Sequence, residues 1–374
     1  MKKLFFALLA LAVLAGCAAA GEETYRSGDF EYALLENGDA ELIRYHGDEG
    51  KVIIPNKLDG HPITAVRGNP FVAYDEYGYL SGVRDCTVSV APDHPYLATI
   101  DGVLFGMTDR KLIYYQPSLN NTNYEIPYGV TAIGKGAFAG CSGLASVMIP
   151  DSVTAIGHNA FDECSGLTSV TIPDSVTAIG HYAFDECSGL TSMTIPDSVT
   201  NIGEGAFYRC SGLTSVTIPD SVTTIGDDAF SFCSSLTNVT IPDSVTAIGD
   251  FAFYGCSDLT SVTIPNSVTA IGFGAFAGCS GLTSVTIPDS VTTIGHYAFS
   301  NCSSLSSVTI PDSVSTIGES AFDDYVNEEF IPLANLVFAV TPGSYAETWC
   351  KENGRQFVHT GVEYGDRTDW LPGR

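Results

Sequence analysis

The sequence is poor in basic residues, tryptophan and methionine, and it has few long apolar runs. Among 374 residues, 16 are lysine or arginine and 43 are aspartate or glutamate, so the formal net charge at pH 7 is −27. No basic run exceeds two residues. Because such a chain repels the phosphate backbone of nucleic acids, the composition excludes nucleic acid as the main partner.

The sequence also lacks the short motifs that carry catalysis or metal binding. It contains no H-E-x-x-H, no G-x-S-x-G and no phosphate-binding loop. Its cysteines do not form the close pairs that structural zinc requires. We therefore expect a protein that is not an enzyme and has no metal centre built from cysteine.

Only the N-terminus carries an apolar segment typical of export. Phe5–Ala15 follows Lys2 and Lys3 and spans eleven residues, which is too short to cross a bilayer of about 30 Å as a helix. The segment ends in Leu14-Ala15-Gly16-Cys17, which resembles the cleavage box of bacterial lipoproteins. The resemblance implies removal of residues 1–16, lipidation of Cys17 and attachment to a membrane by lipid alone. An ordinary secretory signal peptide is the alternative.

The residues after the lipidation site bear on localisation. Ala18 and Ala19 follow Cys17, with no aspartate at the next position. By resemblance to lipoprotein sorting in bacteria with two membranes, this implies the outer membrane or the cell surface.

A 23-residue repeat dominates the rest of the chain. Cysteines recur at steps of 23 from 141 to 302, and prolines recur with the same step from 127 to 311. Residues 172–194, IPDSVTAIGHYAFDECSGLTSMT, show one unit, and eight full units run from 126 to 309. A fixed period of this length with spaced leucines predicts a leucine-rich-repeat solenoid, because one unit cannot bury its apolar face alone.

Each unit contains a short predicted strand. Leu167, Val170 and Ile172 would point inward, while Ser169 and Thr171 alternate outward. A Pro-Asp-Ser turn follows, so that serine stands where this strand pattern usually places asparagine, and the usual asparagine ladder is missing.

The second half of each unit has apolar residues at helical spacing. Ala183, Phe184 and Cys187 show this spacing, which predicts a short helical turn. The cysteines share the face of the phenylalanines, so we interpret them as buried thiols of the core. Disulfide bonds between stacked cysteines remain the alternative, because exported proteins often oxidise their cysteines.

The repeat consensus resembles the BspA-type leucine-rich repeat of bacterial surface proteins; it is I-P-D-S-V-T-x-I-G-x-x-A-F-x-x-C-S-x-L-T-S-V-T. The resemblance implies an α/β-type repeat of right-handed stacked coils, with a parallel sheet on the concave face and short helical turns on the convex side. It also implies adhesion to cells and binding to extracellular matrix.

The sequence divides into five predicted segments. Irregular parts flank the repeats: a hairpin around Asn37-Gly38, a diverged unit at 54–71 and a hairpin at 101–115 come first. Ser344 to Glu347 has the spacing of a helix capping box, Gly354 would end that helix, and Trp349 would cover the last coil. The segments are a signal peptide (1–16), a tether (17–23), an N-terminal cap with diverged repeats (24–125), regular repeats (126–325), and a C-terminal cap and tail (326–374).

Two exposed columns of residues are the candidate binding features. The first is a polar strand face suited to weak, repeated contacts with extended polymers, although strand propensity alone explains it as well. Its residues are Ser169, Thr171, Ser192, Thr194, Ser215, Thr217, Asn238, Thr240, Ser261, Thr263, Ser284 and Thr286.

The second column is acidic, and its residues follow the proline that recurs in each repeat. Carboxylates stacked about 4.8 Å apart repel each other, and Ca²⁺ could relieve that repulsion. The competing interpretation is turn chemistry. The candidate residues are Asp174, Asp197, Asp220 and Asp243.

Two histidine–aspartate pairs are candidates for a smaller site. His158 and Asp162 lie four residues apart, as do His181 and Asp185, so together they could form a metal-binding or proton-responsive patch. The competing interpretation is a variable, solvent-facing pair in each coil.

The sequence therefore predicts a lipid-anchored surface protein that binds extracellular proteins, other cells or glycans. The competing hypothesis is a structural spacer or display scaffold without a ligand, which the uniformity of the repeats favours.

Overall fold

A computed structural model describes residues 23–76, 78–119, 121–326 and 329–361. The predicted signal peptide, Cys17 and the end of the C-terminal tail lie outside these residues. The chain divides into two compact units, residues 1–189 and residues 190–374. Each is described by itself below.

The first unit begins with twelve strands that precede the regular repeats. They are β1 (Thr24–Ser27), β2 (Phe30–Leu34), β3 (Ala40–Tyr45), β4 (Lys51–Ile54), β5 (Lys57–Leu58), β6 (His61–Val66), β7 (Val72–Tyr74), β8 (Leu80–Val83), β9 (Thr87–Val90), β10 (Leu97–Ile100), β11 (Val103–Gly106) and β12 (Lys111–Tyr115).

These strands combine hairpins with parallel pairs that already follow a coil. β2 and β3 form the hairpin predicted around Asn37-Gly38. The parallel pairs are β3 with β6 and β4 with β9, as the diverged unit at 54–71 predicts. β11 and β12 form the second predicted hairpin, and β12 pairs in parallel with the first regular coil. The irregular part therefore supplies the starting edge for the repeats.

Every regular coil contains two short strands rather than one. In the first unit, the three-residue strands are β13 (Asn123–Glu125), β15 (Ser146–Met148) and β17 (Ser169–Thr171), and the two-residue strands are β14 (Ala132–Ile133), β16 (Ala155–Ile156) and β18 (Ala178–Ile179).

The second unit repeats the same alternation. The longer strands are β19 (Ser192–Thr194), β21 (Ser215–Thr217), β23 (Asn238–Thr240), β25 (Ser261–Thr263), β27 (Ser284–Thr286) and β29 (Ser307–Ile310), and the shorter are β20 (Asn201–Ile202), β22 (Thr224–Ile225), β24 (Ala247–Ile248), β26 (Ala270–Ile271), β28 (Thr293–Ile294) and β30 (Thr316–Ile317).

Among the regular coils of each compact unit, paired strands are parallel and lie one repeat apart. Ser146 lies opposite Ser169 in the first unit, and Ser284 lies opposite Ser307 in the second. Equivalent residues therefore stack on each other, so each unit is a β-solenoid, as the 23-residue period predicts.

The core is built from columns of identical side chains. Phenylalanine, cysteine and leucine of each coil are buried; Phe253, Cys256 and Leu259, for example, have no exposed surface. The rings of Phe230 and Phe253 stack with centroids 5.4 Å apart and planes within 6°. Stacking of this kind removes apolar surface from water on both sides of each ring.

The segment expected to be a short helical turn is a series of tight turns instead. In one coil, Ala183 N–H donates to Gly180 O at 3.3 Å and Cys187 N–H donates to Phe184 O at 3.3 Å. Tyr182 and Glu186 have φ of 54° and 55°, a left-handed conformation that interrupts any helix. The residues between those turns form backbone hydrogen bonds with the next coil. The apolar residues therefore have the sequence spacing of a helix, although the backbone there is not helical.

A serine ladder replaces the missing asparagine ladder. Ser175 Oγ donates to Val153 O at 2.6 Å, and Ser244 Oγ donates to Val222 O at 2.6 Å. The turn before the shorter strand is closed by the backbone, where Val176 N–H donates to Pro173 O at 3.0 Å. Each hydroxyl thus ties one coil to the coil before it.

The second unit ends in four strands and one helix. They are β31 (Asp323–Val326), β32 (Glu329–Pro332), β33 (Val337–Val340), α1 (Tyr345–Glu352) and β34 (Gln356–His359).

The helix forms where the capping-box spacing predicts it. Glu347 N–H donates to Ser344 Oγ at 3.1 Å, and Gly354 follows the helix with φ of 63°. The Trp349 ring lies 5.5 Å from Phe338 and 6.1 Å from Phe322. The helix therefore packs its tryptophan against the phenylalanines at the end of the last coil.

Candidate functional site

The longer strands expose a row of hydroxyls, which we call the hydroxyl face. In β27, Ser284 and Thr286 are exposed, whereas Val285 between them is 3% exposed. Ser284 and Thr286 lie opposite Ser307 and Thr309 of β29. The alternation predicted from the sequence is present, and it places small polar groups outward in consecutive strands.

In the second unit the hydroxyl face borders a groove of about 930 Å³, which we call the polar groove. Its lining combines hydroxyls of β25, β27 and β29 with the turns beside them. The polar side chains are Ser261, Thr263, Ser284, Thr286, Thr309, Asn266, Asp289, Asp312, Ser313, Thr341 and Thr360.

The groove ends at the C-terminal strands, where Thr341 Oγ1 lies 3.3 Å from Thr360 Oγ1. The serine ladder also stops here, since the buried hydroxyls of Ser290 and Ser313 have no hydrogen-bond partner among the described residues. Among the described residues, the groove is therefore the one place where residues of the hydroxyl face lie beside both the end of the serine ladder and the C-terminal strands.

Only part of the predicted face lines this groove. Ser261, Thr263, Ser284 and Thr286 do so. The other eight candidates are exposed at the same strand positions but do not line it, and their role in binding stays a prediction. They are Ser169, Thr171, Ser192, Thr194, Ser215, Thr217, Asn238 and Thr240.

The acidic column lies on the surface beside the same strands. Asp174, Asp197, Asp220 and Asp243 are exposed, and their turns are closed by backbone and serine hydrogen bonds rather than by the carboxylates. In the part of the chain that the structure describes, no three His, Cys, Asp or Glu side chains converge as ligands for a metal ion. None of these four carboxylates lines the polar groove, whose acidic lining residues are Asp289 and Asp312, and Ca²⁺ binding at the column stays a prediction.

Each histidine–aspartate pair is only half solvent-facing, because His158 and His181 are exposed whereas the two carboxyl groups are buried. Asp162 and Asp185 are 1% and 3% exposed. His158 Nδ1 accepts the His181 N–H at 3.0 Å. Asp227 and Asp250 in the equivalent position likewise accept the N–H of the next coil. This position of the repeat thus supplies a coil-to-coil hydrogen bond, a structural role that the sequence did not reveal.

The pKa of Asp162 provides a test of the burial of these carboxyl groups. Burial raises its pKa to about 7, while the hydrogen bond from Asn159 Nδ2 at 3.0 Å opposes the shift and Glu163 adds to it. A carboxyl whose folded pKa is raised favours folding at low pH and loses that contribution as pH rises from about 4 through 7.

We therefore expect Asp162→Asn to raise the free energy of unfolding by more than about 1 kcal/mol near pH 8 and to have little effect near pH 4. Urea unfolding at both pH values measures this. Exposed Asp174→Asn is the control and should change neither value. A variant less stable than the wild type near pH 8 would contradict the prediction.

The cysteine column is buried and hydrogen-bonded to the backbone. All ten cysteines of the described residues are buried thiols. Cys256 Sγ donates to Phe230 O at 3.2 Å, and Cys279 Sγ donates to Phe253 O at 3.2 Å. Burial raises the pKa of Cys256 to about 12 and the pKa of Cys279 well above its usual value. The thiolate, which is the reactive form, is therefore suppressed at these two positions.

We expect the folded chain without Cys17 to resist a thiol-labelling reagent and the urea-unfolded chain to label at all ten remaining cysteines. Mass spectrometry before and after unfolding counts the labels. Two labels missing in urea without reductant would show a disulfide, and rapid labelling of the folded chain would contradict the burial.

The sequence did not reveal a row of aromatic side chains on the tight turns of the second unit. Phe232, Phe251, Tyr254 and Phe273 occupy positions where other repeats carry glycine, aspartate or serine. A comparison of repeat positions between coils would have identified them.

In the described residues, no helix is both long and apolar enough to cross a membrane.

Two family models match the chain. The BspA type leucine rich repeat region matches residues 111–237 and 223–346. The prokaryotic membrane lipoprotein lipid attachment site matches residues 1–18, which include Cys17. The second match supports the predicted lipid anchor at the cell envelope. Curated protein sequences give no match.

Solved structures of bacterial repeat proteins resemble this chain. A leucine rich cell surface protein from Faecalibacterium prausnitzii is 27% identical, over 88% of this chain and 98% of that one, with a TM-score of 0.46. A leucine-rich repeat protein from Eubacterium ventriosum is 24% identical, over 63% of this chain and 60% of that one, with a TM-score of 0.52. The pneumococcal vaccine antigen PcpA is 18% identical, over 91% and 99%, with a TM-score of 0.50.

The last two resemblances bear on the fold and agree with the repeat architecture described above. The repeat model covers well over half of the sequence, in the positions where the stacked coils lie. The chain belongs to the BspA-type leucine-rich repeat family.

Proposed function

We propose that this protein is a lipid-anchored cell-surface adhesin that binds extracellular matrix proteins, other cells or glycans in the polar groove. The observation that carries the proposal is that part of the hydroxyl face meets two acidic turn residues in one groove of about 930 Å³. Hydroxyls of β25, β27 and β29 belong to its lining, together with Asp289 and Asp312.

The chemistry of the groove favours an extended polar polymer. Hydroxyls both donate and accept hydrogen bonds, and equivalent hydroxyls recur in successive paired strands. A polymer with a regular repeat can then contact several coils at once, so that weak contacts add up through avidity. The lining contains no aromatic side chain, which disfavours a single tight anchor.

The test is binding of the soluble chain, without Cys17, to an array of matrix proteins and glycans, with and without Ca²⁺. We expect a saturable partner, and Thr286→Glu should weaken its binding by placing a charged, larger side chain in the groove. Thr171→Glu is the matched control, because Thr171 holds the same strand position outside the groove. Loss of binding on removal of Ca²⁺ would support a cation at the acidic column.

If the folded protein bound no member of the array, the result would favour the spacer hypothesis. Equal binding by the two threonine variants would place the binding surface outside the polar groove.

A further inference from the structure

The second unit carries a continuous row of aromatic rings on its tight turns, which we call the aromatic ladder. Neighbouring ring centroids lie 4.9–5.8 Å apart along the whole row. Its members, in order of contact, are Tyr208, Phe232, Tyr254, Phe251, Phe273 and Tyr297.

The solenoid does not require these rings. Where Phe251 lies, other coils of the unit have Gly205 and Gly274, and where Tyr254 lies, they have Ser231 and Ala277. The core columns show no such variation. The aromatic ladder is therefore a local departure from a repeat that is otherwise uniform.

Three ladder residues are also held in an unfavourable backbone conformation. Phe232, Phe251 and Tyr297 have φ of 59°, 55° and 58°, a region that glycine and asparagine adopt more easily. A bulky residue there costs on the order of 1 kcal/mol. Other coils also have positive φ at these turn positions, as at Tyr182 and Glu186, so the repeat imposes the conformation and the aromatic side chains occupy it where glycine or asparagine would cost less.

The surroundings of the aromatic ladder are acidic. Three exposed carboxylates, those of Asp227, Asp250 and Glu319, occupy in their own coils the repeat position that Phe273 occupies in its coil. Among the described residues, two basic side chains lie against the ladder: the Arg209 guanidinium is 4.9 Å from the Tyr208 ring centroid, and the His296 ring centroid is 6.2 Å from that of Phe273. The ladder thus already accepts a guanidinium at one end, in a cation–π contact.

The chain itself covers the other end of the ladder with an extended segment. Phe330 of β32 places its ring 5.0 Å from Tyr297, and Tyr325 of β31 packs on Phe330 at 4.9 Å. An antiparallel strand pair with aromatic side chains therefore fits this surface. The rings from Phe232 to Phe273 are half-buried.

We propose that the aromatic ladder is a docking surface for an extended, basic polypeptide segment that carries aromatic side chains. Arginines of such a segment would stack on the half-buried rings and pair with Asp227 and Asp250, while its aromatic residues would pack as Phe330 does. A second copy of this chain is a poor occupant, because two chains of net charge −27 repel each other.

The experiment measures the affinity of the full chain for a synthetic peptide of alternating arginine and tryptophan at physiological ionic strength. A lysine–glycine peptide of equal charge is the comparison probe. We expect saturable binding of the first peptide and at least tenfold weaker binding of the second.

The variant Phe251→Asn together with Tyr254→Ser should weaken arginine–tryptophan binding by roughly tenfold. Both replacements are residues that the same repeat positions already carry, as Asn159 and Ser231. Tyr128→Ser, which changes an 87% exposed ring outside the ladder, is the matched control and should bind normally. Thermal unfolding checks the fold, and Phe232→Asn, matching Asn301, is the second variant if the first unfolds.

Equal binding of both peptides, or unchanged binding by the ladder variants, would overturn the proposal. So would binding of cellohexaose in place of the peptide, or a dimer in sedimentation that the ladder variants abolish. Each of these assays is independent of the polar groove, so their failure leaves the proposed adhesin function to its own test.

Discussion

Phe253→Ala is expected to lower the free energy of unfolding by roughly 3–5 kcal/mol. The Phe253 side chain has no exposed surface, and its ring stacks on Phe230 at 5.4 Å and on Phe276 at 5.3 Å. Alanine would leave a cavity that borders three coils at once. Neither neighbour can fill that cavity, because each ring is fixed by the next ring in its column. Urea unfolding followed by circular dichroism measures the change.

Thr263→Ala is the control for this experiment. Thr263 lies in the same unit and is exposed on a strand, so its replacement should change the unfolding free energy by less than about 0.5 kcal/mol. Because each coil contacts its nearest neighbours, hydrogen exchange should show the loss of protection centred on the Phe253 coil. A loss below about 1 kcal/mol for Phe253→Ala would show that the coils collapse into the space.

Gly180→Ala is expected to cost roughly 2–4 kcal/mol, through a clash between backbones. A Cβ atom at Gly180 would lie 2.5 Å from His158 N, 2.6 Å from Gly157 C and 2.8 Å from Gly157 O. These are backbone atoms of the preceding coil, so no side-chain rotation relieves the contact. The coils would have to separate, which weakens the hydrogen bond from Gly180 N–H to Ile156 O at 2.9 Å.

Gly143→Ala is the control for Gly180→Ala. An added Cβ at Gly143 meets no atom within 4 Å, and the substitution restricts the unfolded chain. We therefore expect thermal unfolding near the wild-type temperature for Gly143→Ala and a clearly lower temperature for Gly180→Ala. Equal unfolding temperatures would mean that the coils are spaced more loosely than described.

The repeat period predicts most of the fold because it fixes which residues stack. Once Phe184 and Cys187 are known to recur every 23 residues, the buried columns follow. The short strands such as Ala178–Ile179 could not be foreseen, because two residues are too few to show an alternation. The tight turns were expected to be helical because Ala183, Phe184 and Cys187 have helical spacing. The positive φ of Tyr182 and Glu186 could not be foreseen, because neither residue is glycine.

The candidate site was predicted less completely than the fold. The sequence identified the exposed hydroxyls but not the polar groove, since Thr341 and Thr360 lie far from Thr286 in sequence and join it through the pairing of β29, β33 and β34. The aromatic ladder was missed because its rings come from different positions of the repeat. Phe232 and Tyr254 touch although they are one short of a full repeat apart.

The equal spacing of the phenylalanine column bears on how such a gene can change in length. Phe230, Phe253 and Phe276 are separated by nearly identical steps, with ring planes within 6° and 4°. Loss or gain of one whole repeat by recombination would bring Phe230 against a surface of the same shape as the one it already meets. Gene variants that differ by whole repeats would then encode chains that fold equally well. They would differ in the number of repeated hydroxyl strands that they present.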